Sequence, residues 1–183
     1  MAEIKTRMAM GEFLEMPESN RIIELIDGEV NMPPPPLDIH QQAVGSLYLL
    51  VHRLMEGGTL RLAPTGIYVD EANFVEPDIF WVRENSADCI LVEDGKYWRG
   101  APDLVIEVRS PSTALQDKRE KYELYQKSGV REYWIVAPEA QYIEVFRLQE
   151  GRFILHGVFG ADNTFESAAL GGKTVDVAKV FGD

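Results

Sequence analysis

The sequence predicts an α/β fold in which a mixed β-sheet is flanked by helices. Three observations carry that expectation. The run LVIEV at 104–108 is almost continuously apolar, as a strand covered on both faces must be. Two long segments, HQQAVGSLYLLVHRLM and TALQDKREKYELYQKSG, repeat their apolar and aromatic residues at helical spacing. Strand-like runs lie before, between and after them, in the order β-β-α-β-β-β-α-β-β-β, which suits neither an all-α nor an all-β protein.

Each element has its own local reason. RIIELIDGEVNM reads as an N-terminal β-hairpin, because two short β-rich runs flank Asp27-Gly28, a pair that supplies positive φ in a tight turn; Glu24 falls in its first strand. Prolines 33–36 hold the chain extended, and Asp38 behind them is placed to cap a helix starting near Ile39. Val44, Leu47, Leu50, Val51 and Leu54 form the apolar stripe of that helix, which Gly57-Gly58 stops. LRLAPTGIYVD and VEPDIFWV follow as strands joined by a short acidic turn, with a less regular stretch up to Gly100. APDLVIEVRS is the central strand, and Pro111 separates it from a second helix with Thr113 as its cap and Gly129 as its terminator. REYWIVAP is a further buried strand. YIEVFRLQEGRFILHGVF alternates around Gln149-Glu150-Gly151 as a hairpin, and the tail carries one weak strand and a helical turn.

Composition sets the bounds. A chain of 183 residues with 45% hydrophobic and 26% charged residues is expected to fold as a single domain over 1–183 with a sizeable core. No apolar run approaches the roughly 20 residues of a membrane span, and MAEIKTRMAM lacks the apolar region of a signal peptide, so a cytoplasmic protein without a membrane partner is expected. Cys89 is the one cysteine, which excludes an internal disulfide and reads as a small core residue. A net charge of −12 repels polyphosphate unless metal ions or a local basic patch intervene. Glycine-rich phosphate loops, HExxH and nucleophile-elbow patterns are absent.

Glu107 is the most informative residue, since an isolated carboxylate inside a buried strand is costly to desolvate and calls for a cation. Strand alternation puts Asp103, Val105, Glu107 and Arg109 on one face, which makes Arg109 a candidate partner. A salt bridge at a strand end accounts for this as well as a functional role does. On the following helix Lys118 and Lys121 share a face with Leu115, Tyr122 and Tyr125, an unexpected place for ammonium groups unless they snorkel or point at carboxylates on the sheet. Asp78 opens the apolar strand of VEPDIFWV, 29 positions before Glu107, a Pro-Asp at a strand entry that also reads as a simple turn signal. Two carboxylates with a nearby cation are hard-oxygen chemistry, suited to Mg²⁺ or Mn²⁺ acting on a phosphate.

The stretches RIIELIDGEV, the prolines with His40, VEPDIFWV, APDLVIEVRSPST and DKREKYELYQKSGVREYWIVAP occur in this order over residues 21–138. Together they resemble the PD-(D/E)xK restriction-endonuclease-like superfamily, and more closely its bacterial Uma-two family. The resemblance implies a restriction-endonuclease-like mixed sheet with additional C-terminal strands, and metal-dependent hydrolysis of phosphodiester bonds in nucleic acid, with DNA as the expected partner. It assigns Asp78 and Glu107 as metal ligands for Mg²⁺ or Mn²⁺ and Glu24 as an accessory ligand. The lysine slot two residues after Glu107 holds Arg109, which cannot act as a base but can stabilise charge, so Lys121 is the better match for the water-positioning lysine and Lys118 the next. His40 is a further accessory candidate, equally well read as a capping or surface residue, and Asp103 is read as a turn residue. Two rivals are a catalytically inactive binding or assembly module that keeps the fold, and a hydrolase of another phosphoester. Residues 142–146 and 153–159 are expected to supply an edge or an interface for a homodimer.

Overall fold

The structure is a computed structural model that describes residues 7–17, 21–92, 95–109 and 116–182; the side chains of 116–118 lie outside that description. In chain order the elements are α1 (Met10–Leu14), β1 (Glu24–Ile26), β2 (Glu29–Asn31), α2 (Asp38–Leu54), β3 (Thr59–Leu62), β4 (Ile67–Tyr68), β5 (Phe74–Val75), β6 (Ile79–Val82), β7 (Cys89–Val92), β8 (Tyr97–Gly100), β9 (Leu104–Val108), α3 (Gln116–Ser128), β10 (Glu132–Ala137), β11 (Tyr142–Gln149), β12 (Arg152–Gly160), β13 (Thr164–Ser167), β14 (Lys173–Asp176) and α4 (Ala178–Phe181).

The strands form two six-stranded mixed sheets, β2-β1-β5-β4-β8-β7 and β12-β11-β10-β9-β6-β3, and a β13-β14 ribbon. At the centre of the second sheet β9 and β10 run parallel, as a strand–helix–strand crossover through α3 requires, while β6 pairs with β9 antiparallel. Alternation along β9 decides what each face meets. Leu104, Ile106 and Val108 pack with Leu47, Leu50 and Val51 of α2, with Trp134 and Val136 of β10, and with the ribbon and α4. Val105 looks the other way, into Leu124 and Tyr125 of α3, Tyr133 and Ile135 of β10, and Ile67, Val75 and Trp98 of the first sheet. α1 closes the outer side of the first sheet with Phe13 against Leu25, Tyr68 and Phe74. The face of β9 that carries Glu107 is therefore sandwiched beneath α3 and the first sheet.

The turns follow local chemistry. Asp27 and Gly28 take φ of 49° and 79°, and Glu150 and Gly151 take 50° and 76°, the paired positive angles of two-residue hairpins. Gly129 (φ 94°) ends α3 as expected, whereas Pro111 and Thr113 lie outside the described residues.

Several local expectations are corrected. Asp38 is the first helical residue of α2 rather than its cap; Leu37 takes the cap position without a side-chain bond, and Asp38 contributes only its charge at the positive end of the helix. The segment 59–82 is four short strands rather than two, because Pro64 and Pro77 have no N–H for a ladder; β3 and β6 pair in one sheet while β4 and β5 pair in the other. The stretch before Gly100 is ordered as β7 and β8, hidden from pattern reading because Ile90 and Leu91 are both exposed. The tail has two strands, not one. Asp103 is not simply a turn residue: it is buried, accepts the Arg83 N–H at 2.9 Å and pairs with Arg131 Nε at 3.2 Å. Of the two strands expected at an edge, only β12 is one, since β11 is paired on both sides.

Candidate active site

Asp78 and Glu107 meet because β6 and β9 are neighbours in fixed register. Ile79 is registered with Ile106, so the next step along each strand sets Asp78 opposite Glu107 on the face turned toward α3. Pro77 ends the ladder just before Asp78, which frees that carboxylate to bend onto the backbone. Its Oδ2 accepts the Val108 N–H at 2.7 Å and lies 3.3 Å from His40 Nε2 at the start of α2.

The cation that Glu107 needs comes from α3. Lys121 and Tyr125 are one turn apart on the same helix face, and both reach Glu107 Oε1, at 3.1 Å from Nζ and 2.7 Å from the hydroxyl. Lys121 Nζ also lies 2.9 Å from Glu24 Oε1, brought in by β1, so one ammonium bridges two carboxylates from two sheets. Glu24 is almost fully buried, and its Oε1 also accepts the Glu76 N–H at 3.0 Å. Glu76 in turn accepts the Ile23 N–H, which ties β1 to the approach to β6.

Electrostatics follow from this packing. Burial pushes Glu107 up; Lys121 opposes that shift, Asp78 and Glu24 add to it, and the Tyr125 hydrogen bond opposes it, leaving the carboxyl near 7. Burial works against charge on Lys121, but Glu107 and Glu24 outweigh it and hold the ammonium well above its ordinary value. His40 follows the same logic: desolvation lowers it, while the Asp78 hydrogen bond and the field of Asp78 and Glu107 raise it on balance. Its Nδ1 is buried and has no hydrogen-bond partner among the described residues.

Glu24, His40, Asp78, Glu107 and Lys121 line a cavity of about 430 Å³. Asp78, Glu107, His40 and Lys121 contribute to its polar part, while prolines 33–36, Leu62 and Pro64 supply apolar wall. Arg109 also lines it, but the expected Arg109–Glu107 pairing is corrected: the guanidinium reaches toward β11 and donates from Nη1 to the Tyr142 hydroxyl at 3.0 Å, and the partner of Glu107 is Lys121. The side chain of Lys118 lies outside the described residues. Sequence reasoning placed Tyr125 on the right face without its role as a donor to Glu107; its spacing of four from Lys121 was the available signal. Glu76 gave no signal, because its link to Glu24 and Ile23 crosses between distant segments. Cys89 is buried and its thiol is pushed up to about 12, chiefly by burial, so it stands apart from this chemistry.

Among the described residues no three His, Cys, Asp or Glu side chains gather into a closed metal cluster. The reason is visible in the contacts, since Lys121 occupies the space between Glu24 and Glu107.

A mixed sheet with a parallel β9-α3-β10 crossover, and a crevice beside the strand that delivers Glu107, define a restriction-endonuclease-like fold. The sequence matches the Uma2 family model, described as "Putative restriction endonuclease", over residues 10–178, and the chain belongs to that family. It is also similar to a crystal structure from Anabaena variabilis ATCC 29413, described as "a putative nuclease", with a TM-score of 0.78 and 20% identity over 95% of this chain and 97% of that one, a likeness of fold. No curated protein matches it. No helix among the described residues is long and apolar enough to cross a membrane.

Proposed function

We propose that the protein is a divalent-metal-dependent endonuclease that hydrolyses phosphodiester bonds, with DNA in the cytoplasm as its substrate. One observation carries this reading: Asp78 and Glu107 stand opposite each other at one cavity, with Lys121 held 3.1 Å from Glu107.

The donor set suits a hard cation. The hydrogen bonds among described residues engage Asp78 Oδ2 and Glu107 Oε1, leaving Asp78 Oδ1 and Glu107 Oε2 for an ion. Mg²⁺ commonly takes one or two carboxylates and fills its remaining positions with water and substrate phosphate, so a closed cluster is not required. When bound, Mg²⁺ or Mn²⁺ supplies Lewis acidity toward a phosphate and acidifies water. Lys121 uses two of its three donors on Glu24 and Glu107 and keeps the third for a water or phosphate oxygen. Its raised proton affinity makes it an orienting donor rather than a base. Glu24 holds Lys121 through Oε1 and keeps Oε2 as an accessory acceptor. His40 steadies Asp78, and Arg109, at the cavity wall, offsets developing phosphate charge.

A homodimer through β12 belongs to the same reading, supported by the exposed Ile154, Leu155 and Val158 on that edge strand. The inactive-module reading is favoured by one observation, the neutralisation of Lys121 between two carboxylates. A single experiment separates the two. Purified protein incubated with DNA and Mg²⁺ or Mn²⁺ should cut it, and Glu107→Gln should abolish cutting while leaving the circular dichroism spectrum unchanged. A folded, metal-supplied protein that cuts nothing would overturn the nuclease reading.

A further inference from the structure

We infer that the cavity takes a nucleotide released from the base stack, so that the preferred substrate is a single-stranded or frayed segment rather than continuous duplex. This rests on the nuclease reading and narrows its substrate. The carboxylates are not on a surface that a duplex could lie against: the side chains of Asp78 and Glu107 are 12% and 15% exposed, so a phosphate must enter the cavity to reach them. Much of the cavity lining is apolar. The extended prolines 33–36, exposed from 34 to 36, form part of the wall, and Leu62 and Pro64 form another part. A stacked duplex presents ribose and phosphate to such walls and would desolvate charge against them. An unstacked nucleotide presents the flat face of its base, which gains from apolar contact whatever its identity, while its phosphate reaches the polar floor. The volume of about 430 Å³ falls within the range of small-ligand pockets.

Charge points the same way. Duplex affinity comes largely from a run of Lys and Arg contacts to phosphates. Here the chain carries −12, and among the described residues the Lys and Arg side chains lining the cavity are Arg21, Arg109 and Lys121, enough to meet one phosphate rather than a run of them. Apolar contact with a base therefore has to supply affinity that phosphate contacts do not.

The test is binding, kept apart from cleavage. Native protein with Ca²⁺ in place of Mg²⁺ is titrated into a short fluorescein-labelled single strand and into the same sequence as a blunt duplex, and anisotropy is read. The single strand should bind about tenfold more tightly or better, a difference on the scale of one base contact. Leu62→Ser combined with Pro35→Ser, at two exposed wall positions, should weaken single-strand binding and bring it toward the duplex value. Equal binding, tighter duplex binding, binding of neither, or a preference untouched by the double variant would each overturn the inference. Cleavage with Mg²⁺ is scored in parallel. Selective binding without cleavage would uphold the inference and overturn the nuclease reading, and cleavage without selective binding would do the reverse.

Discussion

Replacing Glu107 by Gln should make the metal-free protein more stable at alkaline pH and leave it nearly unchanged in acid. In the folded chain the Glu107 carboxyl titrates near 7 instead of at 4.5, because burial and the Asp78 and Glu24 charges together outweigh the help from Lys121 and Tyr125. The folded state thus holds a proton that the unfolded state releases earlier, and stability is lost as pH rises from about 4.5 to about 7. Each tenfold in proton affinity is about 1.4 kcal/mol, so full ionisation costs about 3 kcal/mol at pH 8 as an upper figure. Gln keeps the volume and an acceptor for Tyr125 without the charge. For a chain of this size about 1 kcal/mol moves Tm by roughly 2–4 °C, so the variant should melt about 6–12 °C above the native protein at pH 8. Near pH 4.5 the two should coincide. Calorimetry in EDTA at both pH values decides it. A variant equal to or less stable than the native protein at pH 8 would show that Lys121 and Tyr125 stabilise the ionised carboxylate outright, and the account of the site electrostatics would fall.

Lys121→Met should act in the opposite direction, costing about 3–5 kcal/mol in urea unfolding at pH 8 and less in acid, since it leaves Glu24 and Glu107 buried without their cation. Glu132→Gln should cost about 3 kcal/mol by the same measurement: this fully buried carboxylate accepts from Trp134 Nε1, Ser167 Oγ and the Ala168 and Ala169 N–H groups, and it ties β10 to the turn after β13. Saturating Mg²⁺ should raise the Tm of the native protein and not that of Asp78→Asn, a readout of binding that does not depend on turnover. Iodoacetamide at pH 8 should leave Cys89 unmodified until denaturant is added, because the thiol is buried and pushed up to about 12.

Where local chemistry dominates, the sequence was enough. The Asp27-Gly28 turn, the apolar stripe of α2, the central strand β9 and its alternation were all legible, because turn angles and periods of 2 and 3.6 are set by a residue and its near neighbours. Glu107 also announced itself as a buried charge in need of a cation, and the phase of α3 put Lys121 and Tyr125 on the side facing the sheet. The strand alone left the choice among cations open, and it was the helix phase together with the family resemblance that favoured Lys121. Arg109 is two residues from Glu107 on the same strand face, yet its arm extends to Tyr142, and the ammonium that reaches Glu107 arrives from 14 residues away on a different element. Glu24, too, shares Lys121 only because β1 of one sheet is brought against α3 over the other. Nor did pattern foretell that 59–82 would split between two sheets, since short strands carry little periodicity and their assignment rests on partners far along the chain. Sequence determined which residues carry charge and which way each faces along its own element; tertiary structure decided which opposite charges meet, because that depends on register and packing between segments that are remote in the chain.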